Sequence, residues 1–295
     1  MMRILLLGKN GQLGWELQRT LATLGEVISL DYPQIDLSQE SQVRQAVRQA
    51  KPQVIVNATA YTAVDLAETE VELARAVNAR APGILAEEAI ACSAAMIHYS
   101  TDYVFDGRKG NPYVESDEPN PLSVYGRSKL EGERAVEQVG GANLILRTSW
   151  VYSLRRDSFV TKVLQWSRQQ PILRVVDDQV GNPTWARILA EVTAQLLAVG
   201  GSDVVHWLAG RSGLYHLAGD GYASRLEWAQ AIVQADPHPE EQVVREILPA
   251  CTVDFPTPAQ RPLFSALNCD KFNLTFRLRL PPWGEALQMA MELPS

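Results

Sequence analysis

The stretch LLLGKNGQLGWEL, Leu5–Leu17, sets an apolar run against three glycines and then a segment of helical pattern. A glycine turn between strand and helix lets backbone N–H groups approach a pyrophosphate, and the positive end of the helix favours its charge. The spacing is Gly8-x-x-Gly11-x-x-Gly14, one residue wider at its start than the familiar G-x-G-x-x-G. An ordinary strand–helix turn is the rival reading of this stretch taken alone. About 20 residues on, the next apolar run ends in Asp31. A carboxylate there accepts hydrogen bonds from adenosine ribose hydroxyls and disfavours a 2′-phosphate. Asp36 has two equal readings: it meets the adenine edge, or it caps the helix that follows.

The pattern continues outward from that turn. Short apolar runs (RILLLG, EVISLD, QVIVNATA, AAMIHYSTDYVF, NLILRTSWVY) alternate with helix-patterned segments. These include QLGWELQRTLATLG, SQVRQAVRQA and the long AETEVELARAVNARAPGILAEEAIACSA. Apolar strands alternating with helices predict a doubly wound α/β fold, a parallel sheet covered on both faces. After Trp150 the pattern loosens: DDQVGNPTWA reads as loop, ARILAEVTAQLLAVG as helix, and GLYHLAG as a strand rejoining the sheet. SRLEWAQAIVQA is helical, whereas Pro256, Pro258 and Pro262 forbid long helices and favour an extended, loop-rich lid. The expected division is a Rossmann-like core, residues 1–149 with about 185–219, and a smaller substrate-binding part, about 150–184 with 220–295.

Composition narrows the function classes. The chain has 295 residues, 46% hydrophobic and 21% charged, with net charge −7, which argues against a general nucleic-acid binder. Three cysteines are too few and too scattered for a disulfide framework. The four histidines show no metal-ligand spacing. No stretch approaches the roughly 18 apolar residues of a membrane span, and the run before Gly8 is too short for a signal-peptide core. The expectation is a cytoplasmic protein with no nucleic-acid or membrane partner.

The stretch SVYGRSKLEGERAV places Tyr125 and Lys129 four residues apart, on one face of a helix. An ammonium beside a tyrosine favours the phenolate and lowers its pKa, which suits proton transfer. YSTDYVFDG begins in a strand and ends polar, so Ser100 and Thr101 fall at a strand C-terminus, where open α/β sheets bind ligands. Together with the wide glycine turn, this constellation resembles the extended short-chain dehydrogenase/reductase superfamily.

Further stretches, VIVNATAYTAVDLAE, HYSTDYVFDG, NPLSVYGRSKLEGE, LRTSWVY, DDQVGNPTWA and RPLFSALNCDKF, resemble the dTDP-4-dehydrorhamnose reductase family from Arg3 to about Phe272. The resemblance implies reduction of the C4 ketone of dTDP-6-deoxy-L-lyxo-4-hexulose by NADPH or NADH, giving dTDP-L-rhamnose. It implies Tyr125 as proton donor, Lys129 as its tuner and ribose anchor, and Thr101 as hydrogen-bond donor to the ketone oxygen. Asp102, Tyr103 and Trp150 would line the sugar pocket, though Trp150 and Tyr103 also suit plain packing. Arg261 would clamp the diphosphate or form a surface ion pair. With Gly8 and Gly14 of the turn, Gly11, Gln12 and Leu13 would face the pyrophosphate. Asp31, Asp36 and Leu37 would hold the adenosine, with Ala60, Tyr61, Thr62 and Tyr99 along the rest of the cofactor.

Thr59 and Leu66 depart from the alanine and lysine common in the family. Some members form Mg²⁺-linked dimers through glutamates. Glu16, Glu191 and Glu292 are the corresponding candidates, each equally suited to an exposed helix face, so monomer and homodimer both stay open. Two other readings share these residues: a nucleotide-sugar epimerase or dehydratase of the same superfamily, and a non-catalytic regulatory subunit of methionine adenosyltransferase. Retention of Thr101, Tyr125 and Lys129 argues against the latter.

Overall fold

The computed structural model describes residues 1–292. Its first half alternates strand and helix: β1 (Met2–Leu7), α1 (Gln12–Thr20), β2 (Gly25–Leu30), α2 (Glu40–Ala50), β3 (Val54–Asn57), α3 (Val71–Arg75), α4 (Ala81–Ala91), β4 (Ala95–Thr101), α5 (Val124–Val139) and β5 (Asn143–Thr148). The second half runs β6 (Val151–Tyr152), α6 (Phe159–Gln169), β7 (Ile172–Val176), β8 (Val180–Gly181), β9 (Thr184–Trp185), α7 (Ala186–Gly200), α8 (Val204–Ala209), β10 (Gly213–His216), β11 (Ala223–Ser224), α9 (Arg225–Gln234), β12 (Glu246–Ala250), α10 (Asp270–Phe276) and α11 (Trp283–Met291).

Six strands form one sheet in the order β10-β5-β4-β3-β1-β2, with every pairing parallel. Period-two alternation explains the continuous apolar run of β1. Ile4 and Leu6 pack with Leu17 of α1 and Leu189 of α7, whereas Leu5 and Leu7 pack with Val47 of α2 and Leu85 of α4. Both faces are covered, as a doubly wound sheet requires. The chain leaves β1 toward β2 on one side and returns to β3 on the other. A crevice therefore opens beyond the C-terminal ends of β1 and β3, where Gly8 and Ala58–Thr62 lie. GLYHLAG does rejoin the sheet, through β10 beside β5.

Four expectations are corrected. The long helical segment after Ala67 is broken: a π turn, Ala76–Arg80, separates α3 from α4. Pro82 has no N–H to give the carbonyl of Asn78, four residues back, and its ring crowds that carbonyl. The strand AAMIHYSTDYVF stops at Thr101, whose hydroxyl accepts the Tyr103 N–H at 3.2 Å and turns the chain into a short 3₁₀ segment. NLILRTSWVY splits at Ser149–Trp150, where Trp150 takes a left-handed φ of 43°. The stretch that loosens after Trp150 contains helix α6, opened by a Ser158–Thr161 capping box.

A third apolar cluster gathers Tyr152, Trp185, Trp228, Leu287 and residues of α6. Beside it β7 pairs in parallel with β12 in a two-stranded sheet, which tolerates Pro249 because one edge of β12 is unpaired. The segment Ala186–Ala209, spanning α7 and α8, has 24 residues and an 18-residue window of mean hydropathy 1.4, enough by length and composition to cross a membrane. It is more apolar than the sequence reading allows. In the fold it packs on α1 and the sheet, with Leu189, Leu196, Val204 and Leu208 in the core.

Candidate active site

The crevice holds two adjoining clefts. The larger, about 1030 Å³, runs from the glycine turn across Asp31, Ala60, Thr62 and Tyr99 to Lys129 and Trp150. Gly8 sits at φ 91°, and a Cβ there would lie 2.9 Å from the Ala58 carbonyl group. Only glycine leaves the turn open on that side. Helix α1 starts at Gly11 with no side-chain cap among the described residues, so its first N–H groups, at Gln12 and Leu13, face the cleft. Asp31 closes the far end: its carboxylate accepts the backbone N–H groups of Asn10 and Tyr32, each at 2.8 Å. A glycine cradle, a bare helix start and a carboxylate at the end of β2 together fit a dinucleotide.

The smaller cleft, about 640 Å³, shares Thr62, Thr101, Asp102, Tyr125, Trp150 and Val151 with the larger. Tyr125 and Lys129 stand on one face of α5, which Ser123 caps by accepting the Gly126 N–H at 3.1 Å. The Lys129 Nζ, 1% exposed, donates to the Tyr99 carbonyl at 2.6 Å. Burial pulls its pKa down to about 8, against the opposing pull of Glu133. Burial pushes the Tyr125 phenol well above its usual value, and a hydrogen bond with Thr101 only partly offsets this. Lys129 is not among the groups that move Tyr125, because its ammonium is turned to the Tyr99 carbonyl. With the ammonium so turned, Tyr125 is held as a neutral phenol, the form that gives a proton.

Thr101 donates to Asp102 at 3.3 Å, and Ser265 also donates to that carboxylate. Burial nevertheless pushes Asp102 up to about 6. Tyr103 lies edge-on to Tyr125, with ring centroids 5.8 Å apart.

Aromatic plates line the smaller cleft. Trp150 stacks on Trp228 with centroids 5.5 Å apart. Its left-handed backbone brings the indole against Gly181, where a Cβ would come within 2.6 Å of the ring. A non-glycine residue in that conformation is held there by its surroundings. The guanidinium of Arg225 lies 3.6 Å over the Trp150 ring and 4.8 Å from Phe159. It pairs with no carboxylate among the described residues. Burial lowers its pKa, so an anion in the cleft would relieve an unpaired buried cation. The sequence reading passes over Arg225. A Ser224–Glu227 capping box marks the start of α9, but no spacing shows that its first residue turns back toward a cavity. Lys162 and Arg174 add positive charge to the lining.

The clefts therefore gather most of the expected residues. Gly8, Gly11, Gln12, Leu13, Asp31, Ala60, Thr62, Tyr99, Tyr125 and Lys129 line the larger, and Thr101, Asp102, Tyr103, Trp150 and Arg261 line the smaller. Four others lie elsewhere. Gly14 is packed beneath the turn, with room for no Cβ beside the Gly8 carbonyl. Leu37 is buried with Val43 and Val47. Asp36 accepts the N–H and hydroxyl of Ser38 in a local turn. Tyr61 points to Glu70 at 2.7 Å, while Asn78 brackets its backbone N–H and carbonyl and donates to Ser128 of α5. Arg261 is engaged in a fork with Asp65 at 2.8 and 3.0 Å.

Of the metal candidates, Glu191 pairs with Arg187 at 2.9 Å, and Glu16 lies close enough to feel both. Glu292 ends α11 and joins no three-ligand group with them. The one such group among the described residues is the exposed set His238, Glu240 and Glu241.

Comparison with known proteins converges on one family. The model of the RmlD substrate binding domain matches residues 2–293. A dTDP-4-dehydrorhamnose reductase from Burkholderia thailandensis is 41% identical over 293 residues, covering 98% of each chain. The crystal structure of a dTDP-4-dehydrorhamnose reductase from Clostridium acetobutylicum superposes with a TM-score of 0.89 at 34% identity, covering 99% of each chain. That of the Bacillus anthracis dTDP-4-dehydrorhamnose reductase, in complex with NADP, gives 0.88 at 32% identity over 98% of each. The glycine turn, the Tyr125–Lys129 helix face and a match along nearly the whole chain agree: this chain belongs to the RmlD family, that of the dTDP-4-dehydrorhamnose reductases.

Proposed function

We propose that the chain reduces the C4 ketone of dTDP-6-deoxy-L-lyxo-4-hexulose to dTDP-L-rhamnose with NADPH or NADH, in the cytoplasm, the last step of dTDP-rhamnose synthesis. The observation that carries this reading is the junction of the clefts: a cradle fit for a dinucleotide and a cationic, aromatic cavity share one wall, Thr101 and Tyr125. The relatives' names supply the substrate class, and the B. anthracis structure the NADP.

Gly11, Gln12 and Leu13 would hold the pyrophosphate, Asp31 the adenosine side and Lys129 the nicotinamide ribose. The reduced nicotinamide, when bound, supplies the hydride. Tyr125 gives its phenolic proton to the C4 oxygen, and the Thr101 hydroxyl, turned from Asp102, donates a hydrogen bond to the same oxygen as charge develops there. Lys129, with two N–H bonds left beside the one given to Tyr99, stabilises the phenolate that remains. Arg225 and Lys162 would meet the diphosphate, and Trp150, backed by Trp228, would line the wall against which the sugar nucleotide lies.

The test follows oxidation of NADPH and of NADH with the dTDP-keto sugar, generated in place by a coupled upstream enzyme, beside its UDP counterpart. The expected result is oxidation that depends on the dTDP sugar and is nearly abolished in Tyr125→Phe with nucleotide binding retained. Wild-type turnover in that variant would remove Tyr125 as the acid. Fresh protein carrying tightly bound oxidised nicotinamide and showing no keto-sugar-dependent oxidation would point to an epimerase or dehydratase.

A further inference from the structure

Arg155 and Arg156 follow β6 and line the larger cleft opposite the glycine turn. Nothing in the proposed proton transfer uses them. Arg156 Nη1 donates to the backbone carbonyl of Asn10, while the N–H of the same residue donates to Asp31 Oδ2 at 2.8 Å. The guanidinium and the carboxylate thus grip opposite polar groups of one residue, which puts Arg156 beside the ribose end of the cleft. Arg155 is fixed by stacking: its guanidinium lies 3.3 Å over the ring of Trp15, whose other neighbour, Arg19, lies at the same distance. Neither Arg155 nor Arg156 forms an ion pair among the described residues.

Asp31 alone argues for an unphosphorylated ribose, since a carboxylate repels a 2′-phosphate. Here, however, both of its oxygens are occupied by the N–H groups of Asn10 and Tyr32. Its charge is aimed into the loop and partly satisfied there, and the unpaired guanidinium of Arg156 stands on the carbonyl of the same Asn10 whose N–H Asp31 holds. A guanidinium presents several donors in a planar fork suited to phosphate. On the dinucleotide reading the pyrophosphate would take the uncapped start of α1, beyond Gly11, which leaves Asn10 and Arg156 to the ribose side.

We propose that Arg156 forms the second wall of the adenosine ribose subsite, with Arg155 over Trp15 adding positive charge to the same cleft, and selects a cofactor bearing a 2′-phosphate, making the enzyme prefer NADPH despite Asp31. This rests on the dinucleotide reading of the cleft given above.

Calorimetric titration of NADP⁺ and NAD⁺ into the full chain without sugar tests the proposal apart from catalysis. Arg156→Ala, and the pair Arg155→Ala with Arg156→Ala, should bind NADP⁺ about ten- to hundred-fold more weakly while NAD⁺ affinity moves less than about two-fold. Arg156→Lys should recover part of the loss, because the charge returns without the fork. Both side chains are exposed, and an unchanged thermal midpoint confirms that the variants fold. Equal loss for both nucleotides would place the guanidinium on a shared group and overturn the proposal, as would unchanged NADP⁺ affinity. Failure of the wild-type chain to bind either nucleotide would instead overturn the cofactor reading itself.

Discussion

Asp102 and Lys129 are both buried at the junction, and burial drives both toward their neutral forms from opposite sides of pH 7. Asp102 is raised to about 6, so its carboxylate, the acceptor for Thr101 and Ser265, is lost as pH falls through that value. Lys129 is lowered to about 8, so its charge is lost as pH rises through that value. Turnover should therefore peak near neutrality, with an acid limb set by Asp102 and a basic limb set by Lys129. Ser265→Ala removes a donor that favours the carboxylate, so it should move the acid limb to higher pH and leave the basic limb in place; pH–rate profiles of both proteins check this. Arg225→Met keeps the stem that packs on Trp150 but removes the charge, and should raise the KM for the sugar nucleotide about ten-fold or more, with the affinity for NADP⁺ unchanged. Thr101, Tyr125, Lys129 and Asp31 were legible because each follows from a motif at fixed spacing on a strand end or helix face. Arg225 was not, because its role depends on how α9 is turned against Trp150, a contact between residues 75 apart in sequence.

Helix α5 is held to β5 by a buried ion pair, Glu133 with Arg147, at 2.6 and 2.9 Å and with both side chains 2% exposed. Glu133 lies one turn beyond Lys129, so it joins the packing of the element to the charge at the site. Glu133→Gln would leave Arg147 buried without a counter-charge, at a cost of about 3–5 kcal/mol. The thermal midpoint should fall clearly. In the protein that still folds, the basic limb should move to lower pH, because one of the groups favouring the Lys129 ammonium is gone; an unmoved limb would make the pair purely structural. Gly181 plays a comparable part for Trp150. In Gly181→Ala the new methyl would enter the indole, so the sugar KM should rise together with a measurable loss of intrinsic tryptophan fluorescence order. Strands and the helices flanking them were legible from period and polarity. The break at Asn78 is not, since Pro82 sits inside an unbroken helical pattern, and neither is α6, which lies where the pattern loosens and whose start is marked only by the Ser158–Thr161 cap.

At the scale of the whole molecule, the C-terminal segment is tied back to the loop after β3 by Asp65 and Arg261, 196 residues apart. Both guanidinium N–H arms reach the carboxylate, and the Ala259 N–H donates to it at 3.1 Å. The pair holds the Asp65 carboxyl below its usual range, so the fork persists across the working pH. No local pattern announces such a contact; the sequence reading left Arg261 between a diphosphate clamp and an ion pair, and the fork with Asp65 now defines its partner. Because Asp65 and Arg261 are 40% and 21% exposed, the pair adds little to global stability, about 1 kcal/mol or less. Its effect lies in where it sits, across the mouth of the smaller cleft, which Arg261 and Thr257 line. Asp65→Asn keeps the shape but weakens the fork, and should leave the thermal midpoint within a few degrees of wild type. Amide exchange over residues 257–264 should quicken, and the sugar KM should rise about five-fold with NADP⁺ affinity unchanged. A large fall in midpoint without a change in KM would make the contact a staple of the fold, and unchanged exchange with unchanged KM would make it an idle surface pair.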